Sequence, residues 1–253
     1  MCCLLVEILL IMNNSIHPTA IISEKAILGK NITIGANTII YDNVEIGDDS
    51  FIGAFCELGV DNHVSEGQKL VLSKNSHIRS HSIFYEGSVF GDGLITGHRV
   101  TVREKVLAGK NLQIGTLCDL QGHCEIGDYV RFHSNVHIGQ HSKIGNFVWI
   151  FPYVVLTNDP YPPSEIQMGV TVEDFVSICT MSVILPGAII SEGCLIGAHS
   201  CVKGITEKDS IYVGSPAKNL GSTSRIKLED GSTAYPWRHH FKRGYPEEVT
   251  KDW

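Results

Sequence analysis

The sequence predicts an all-β chain: a parallel β-helix of about nine stacked coils followed by a short C-terminal tail. Three observations carry that prediction. An apolar residue recurs every six positions, as in Ile16, Ile22, Leu28, Ile34, Ile40, Ile46, Ile52 and Leu58. The run resumes from Leu72 to Ile150 and again from Val172 to Val202, giving 28 hexads of which only the one at Thr96 is polar. Two residues before each apolar one stands a small or apolar side chain, such as Ala20, Cys56, Val100 or Ser182, with Asn14 the exception. Finally, a glycine often follows the apolar residue.

Each observation has a structural meaning. Alternate strand residues point to opposite faces, so the two repeated positions both point inward. The glycine falls where the chain must turn a corner, which is expected to need its backbone freedom. Three short strands then close a triangular coil of 18 residues. Nine coils at about 4.8 Å make a prism about 43 Å long.

The chain divides into an extension over 1–15, the helix over 16–213 and a tail over 214–253. A solenoid core is open at its end, so the tail is expected to cap it. The opening MCCLLVEILLIM is apolar but carries Glu7 and lacks a basic n-region. It makes a poor signal peptide and is too short to cross a bilayer, and Met12 is a plausible start. A net charge of −7 argues against nucleic acid and anionic membrane as partners. Of eight cysteines, Cys56, Cys118, Cys124 and Cys194 occupy inward slots where a thiol acts as a small hydrophobe. Without a paired-cysteine framework, the thiols read as reduced and the chain as cytoplasmic.

The register breaks twice. Leu58 and Leu72 lie 14 residues apart in place of 12, and Ile150 and Val172 lie 22 apart in place of 18. Loops are therefore expected within 59–71 and 152–171, and such loops on a rigid scaffold are where function concentrates.

Residues one coil apart should stack. His123 and His141 are so related, Lys105 lies one step below, and one step above comes Asp159 beside Asn158. A histidine near a carboxylate is the minimal general-base unit. The alternative is that these imidazoles merely face solvent or a neighbouring subunit. The candidate zinc ligands are His133 with His137, His77 with His81, and His98. Their spacing does not bring three imidazoles to one ion, so no metal is expected.

The repeat, Ile178–Gly187 (ICTMSVILPG), Ile196–Lys203 (IGAHSCVK) and Val213–Lys218 (VGSPAK) resemble the hexapeptide-repeat acyltransferases. That resemblance covers nearly all of 16–218. It implies a left-handed helix, a homotrimer with active sites between subunits, and acetyl-CoA as co-substrate. The segment Thr157-Asn-Asp-Pro-Tyr-Pro162 is similar to the branch that N-acetylates nucleotide-linked amino sugars, such as dTDP-3-amino-3,6-dideoxyhexoses, for surface polysaccharide. It implies His123 or His141 as base, with Asn158 and Asp159 holding the amine. Thr180 and Ala198 would offer backbone groups to the pantetheine arm, and Lys203 and Lys218 would meet CoA phosphates. Loop 59–67 would contact the sugar nucleotide. The alternatives are an O-acetyltransferase of the same fold and a non-enzymatic trimeric scaffold.

Overall fold

A computed structural model describes residues 13–253; the opening twelve residues, with most of the expected extension and the Met12 start, lie outside the described residues. The strands are mostly two residues long and stack into three parallel sheets. Sheet A has twelve strands, sheet B ten and sheet C nine, and the chain visits A, B and C in turn. Only the last strand of sheet A, Lys218–Ser222, runs antiparallel, against Ser210–Val213. Sheet A thus counts eleven parallel strands, so the helix has about eleven turns where nine were expected. Part of the difference lies in two strands outside the hexads, Val155–Leu156 and Ser210–Val213, and the rest in sheet A holding both the first and the last parallel strand.

The inward pairs behave as the period requires. Ile32 with Ile34, Val100 with Val102 and Val136 with Ile138 are all buried. Inward hydroxyls are satisfied by neighbouring turns: Thr38 Oγ1 donates to the Gly53 carbonyl at 2.7 Å and Ser88 Oγ to that of Arg103 at 2.8 Å. Thr96, the polar hexad, accepts from the Arg79 N–H at 3.0 Å and costs the core no orphan. The thiols of Cys118 and Cys124 are each pushed up to about 11 by burial, so neither supplies a ready thiolate.

The corner glycines have a different job from the one expected. Most left-handed residues at the corners are non-glycine, among them Asn37, Lys105, His123 and His141 with φ between 50° and 64°, although Gly59, Gly87, Gly93, Gly187 and Gly193 also have positive φ. Gly35 is not among them; a Cβ there would meet the Ala54 backbone N at 2.5 Å. Close stacking of coils, not turn geometry, excludes a side chain at such positions.

Both register breaks fall at one corner, between sheets B and C. Leu58 and Leu72 occupy successive strands, so the first insertion begins beyond Glu57–Val60 and ends before Leu70–Leu72. Leu156 and Val172 likewise occupy successive strands, Val155–Leu156 and Thr171–Val172. The second loop therefore spans 157–170, narrower than expected, because Leu156 still obeys the repeat. Across this insertion the 18-residue rule fails: Lys143 pairs with Thr171, so the residue above His141 is Gly169, not Asp159.

The tail divides its work. Its first part, Lys218–Ser222, covers the last strand of sheet A. The rest turns back along the outside of the prism in place of closing its end. Tyr129, Phe147 and Phe175 form a stacked ladder at the corner between sheets C and A, with centroids 5.4 and 4.9 Å apart. Trp237, Tyr245 and Trp253 pack on that ladder. Arg131 lies between the Trp149 and Tyr245 rings, at 5.1 and 4.9 Å.

Candidate active site

The corner between sheets B and C carries Lys105, His123 and His141 on successive coils, with one insertion at either end. The left-handed backbone of each residue turns the chain there and projects the side chain outward. The rings of His123 and His141 lie 5.3 Å apart, inclined at 43°. His141 Nε2 is 2.9 Å from Gln167 Oε1 of the second insertion, so the imidazole donates there. The His123 imidazole is held below the ordinary histidine range, by burial first and then by His141 and Lys105; Glu104 opposes the shift. Near neutral pH this ring is an unprotonated acceptor, as a general base must be.

Below the pair lies a buried polar spine. Glu104 accepts from Asn62 Nδ2 at 2.9 Å and from Arg103 at 3.2 Å, and its carbonyl accepts the His123 N–H at 3.0 Å. Glu86 accepts from Asn43 Nδ2 at 2.7 Å and from Ser65 Oγ. Lys105 reaches Glu66 at 3.3 Å. Asn62, Ser65 and Glu66 belong to the first insertion, which is thereby tied to the coils beneath His123.

The expected carboxylate partner is differently engaged. Asp159 accepts from Ser164 Oγ, Ser164 N and Tyr161 N at 2.6, 2.8 and 2.9 Å, so both oxygens stitch its own loop. These bonds, that of the Ser164 hydroxyl first, hold its carboxyl below the usual range. Asn158 stays close to the His141 coil: its Cβ lies 3.3 Å from where a Gly139 Cβ would be, and its carbonyl accepts the Met168 N–H at 2.7 Å.

A histidine–carboxylate pair does exist, on the adjacent sheet B. His137 Nδ1 lies 3.1 Å from Asp119 Oδ2, which also accepts from Gln121 Nε2 at 2.6 Å. Burial raises the Asp119 carboxyl, but the His137 and Gln121 bonds outweigh it and leave it below the usual range. Asp119 and His137 are paired one coil apart. The stacking rule that found His123 and His141 would have found them too.

Sheet C begins at the same corner and carries an open groove of about 800 Å³ lined by Leu107, Glu125, Lys143 and Thr171. Glu125 and Lys143 each follow a corner histidine by two residues and pair at 2.9 Å.

The residues expected to hold the acyl donor do not form one cluster. Thr180 and Ala198 stack on the corner between sheets A and B, where the Thr180 carbonyl accepts the His199 N–H at 3.0 Å. Neither Thr180 nor Ala198 donates its own N–H within the described residues, which leaves two aligned donors for an amide-bearing chain. Lys203 sits on the histidine corner, and Lys218 lies on the terminal antiparallel strand; both are exposed. The histidines weighed for zinc are otherwise engaged: His77 stacks on Phe51, His81 on Phe55 and His133 on Phe151, while His98 bonds Ser80. Among the described residues no three potential ligands gather around one point.

A family model described as bacterial transferase hexapeptide (six repeats) matches residues 25–59. The chain is 34% identical over 167 residues to an acyl-[acyl-carrier-protein]–UDP-N-acetylglucosamine O-acyltransferase of Aliarcobacter butzleri (strain RM4018), covering 54% of this chain and 64% of that one. It is 34% identical over 122 residues to a dTDP-4-amino-4,6-dideoxy-D-glucose acyltransferase of Escherichia coli, covering 46% and 59%. The chain thus spans less than two thirds of these relatives' own lengths. A solved Arabidopsis UDP-N-acetylglucosamine acyltransferase superposes with a TM-score of 0.61 at 18% identity, over 82% of this chain and 74% of that one, a likeness of fold. Residues 25–59 thus match the bacterial transferase hexapeptide repeat, and the repeating hexads of this chain fold into three parallel sheets.

Proposed function

We propose that this chain is an acyltransferase that moves an acetyl group from acetyl-CoA to the amino group of a nucleotide-linked amino sugar, with a dTDP-3-amino-3,6-dideoxyhexose as first candidate. The observation that carries the reading is the His123–His141 pair, its inner ring unprotonated, on the corner from which both insertions leave. In this reading the protein is a cytoplasmic homotrimer serving surface polysaccharide assembly, with each site between two subunits. Two relatives named for acyl transfer to nucleotide sugars support the substrate class.

The residues divide the work as follows. The Thr180 and Ala198 N–H groups hold the pantetheine arm, and Lys203 and Lys218 meet CoA phosphates. The donor supplies a thioester carbonyl open to attack. Asn158 orients the sugar so that its amine approaches that carbonyl, which supplies rate through positioning. As the new C–N bond forms and the C–S bond breaks, His123 takes the amine proton and passes it to the departing CoA thiolate, and the neighbouring His141 weakens its hold on that proton. Asp159 keeps the second insertion in shape around them.

A second reading is O-acylation. A hydroxyl needs its proton removed as it attacks, a heavier demand on the base than an amine makes, and an unprotonated His123 meets it. One panel tests both. Amino-sugar nucleotides with acetyl-CoA, and UDP-N-acetylglucosamine with acyl-carrier-protein thioesters, are scored for released thiol and for product mass. An amide product carries the first reading and an ester product the second. Thiol release no faster than the blank across the panel removes both.

A further inference from the structure

The carboxylate–imidazole pair on sheet B has no part in the reaction proposed above. Its outward row carries Ile83 and Thr101 below the pair and Val155 and Val183 above it, all uncharged. Asp119 and His137 interrupt that row, with side chains 37% and 39% exposed. Holding the coils together does not need them, because the Asp119 N–H already donates to the Val136 carbonyl and the His137 N–H to that of Val154, both at 3.0 Å. An ionisable pair kept among apolar neighbours points to chemistry.

The bonding of the pair leaves two acceptors open. Asp119 Oδ2 takes both the His137 ring and the Gln121 amide, while Oδ1 accepts from nothing among the described residues. An ionised carboxylate only accepts, so the ring proton lies on Nδ1 and Nε2 is a bare acceptor. Arg103, one coil below, helps to keep Asp119 ionised, although its guanidinium is bound to Glu104. The strands on either side present only Thr101 and Val155, so no other charge competes on this face. One anionic oxygen beside one unprotonated imidazole suits a group that brings positive charge and spare protons. An alkylammonium brings both, whereas a hydroxyl brings one proton and no charge.

The pair shares its coils with the proposed reaction centre. Asp119 precedes His123 by four residues and His137 precedes His141 by four, so their backbones lie within about 14 Å. Gly139 lies between His137 and His141, and the Asn158 Cβ is 3.3 Å from where a Gly139 Cβ would be. Asn158, given the task of orienting the sugar, thus stands between the pair and the histidine corner.

An amino sugar arrives chiefly as the ammonium ion near neutral pH, since alkyl amines titrate at about 8 to 10. Two protons must therefore leave it: one before the nitrogen has a lone pair to attack with, and one after the C–N bond has formed. His123 takes the second. We infer that Asp119 and His137 take the first: Asp119 Oδ1 binds the ammonium and His137 Nε2 accepts one of its protons, freeing a neutral amine to attack the thioester. The N–H bond breaks and its electron pair stays on nitrogen as the nucleophilic lone pair. The imidazolium, steadied by Asp119, then gives the proton to water at its exposed edge. The pair thereby selects amines over alcohols. This inference rests on the amino-sugar reading of the site, but binding is measured without turnover, so the two can fail separately.

The test is calorimetry on the full chain near neutral pH, comparing a dTDP-linked 3-amino-3,6-dideoxyhexose with its 3-hydroxy counterpart. The amine should bind about tenfold tighter, and Asp119→Asn should reduce that preference to about twofold. Binding both alike, binding neither, or a preference that survives Asp119→Asn overturns the inference. Turnover without the preference leaves the acyltransferase reading standing and this inference fallen; the preference without turnover does the reverse. His137→Gln, which still donates to Asp119, adds a kinetic readout. Its kcat/KM for the amino sugar should fall about 10²-fold near neutral pH. That loss should shrink as pH rises through the amine's own titration, where water supplies the free base. A loss that is the same at every pH marks a merely structural pair and also overturns the inference. Should either variant not fold by circular dichroism, the preference of the native chain decides alone.

Discussion

Two insertions leave the same corner of the prism, and they are secured in opposite ways. The first is tied into the scaffold: Asn62, Ser65 and Glu66 reach Glu104, Glu86 and Lys105. The two glutamates are buried, so their carboxylates require those partners. The second is stitched to itself around Asp159, and meets the prism through Gln167 on His141 and through the Met168 carbonyl, which accepts the Gly187 N–H. The first insertion thus behaves as part of the wall. The second is a self-supporting flap whose hold on the site runs through one of the proposed catalytic rings.

That contrast can be broken in order of effect. His123→Ala should cost the most, about 10²–10⁴-fold in kcat with the thermal transition unchanged, since the ring is peripheral to the core. A fall below tenfold would mean that the departing thiolate takes the proton. Glu104→Ala strands Asn62 and Arg103 and should lower unfolding stability by about 1–3 kcal/mol in denaturant titrations, while protease cleavage within 61–67 rises. Cleavage unchanged there would show that the spine does not hold the first insertion. In Gly169→Ala the new methyl meets the His141 backbone carbonyl, so the variant should lose about 1–3 kcal/mol and disturb the second insertion together with the His141 turn beneath it.

The smaller effects concern protons. Because burial, His141 and Lys105 hold His123 below its ordinary range, the acid limb of kcat/KM should fall below pH 6.5, the usual histidine value. Activity is then lost only as pH drops through that depressed value. His141→Ala removes one opposing charge and should move the limb upward, toward the usual value; a downward move would contradict the assignment. Asp159→Ala should have the least effect, loosening 159–164 while leaving the limb in place. A limb that moved with Asp159 would restore it as partner to His123.

The sequence held most of the fold, because each hexad carries its own burial pattern and each strand pairs one coil away. The same locality explains what was hidden. Leu156 obeys the rule beside an irregular segment, and Tyr212 pairs with Ile196 across 16 residues in place of 18, so the coil count fell short. Register across an insertion depends on where the extra residues leave, and a pattern of apolar positions does not mark that point; His141 was therefore matched to Asp159 when Gly169 lies above it. The Asp119–His137 pair was legible but passed over, since both residues face outward from a strand. The packing of Trp237 on Trp149 was not legible at all: it is made by a tail without period meeting coils far away in sequence.

The final strand pair has a consequence beyond the site. A stack of parallel β-coils is, in principle, open to endless growth, because each new layer offers the next one the same unpaired backbone groups. Here Lys218–Ser222 reverses direction on the last strand of sheet A, and a second copy arriving there meets an antiparallel rung that its own parallel edge does not match. One reversed strand closes sheet A at this end against a further parallel layer.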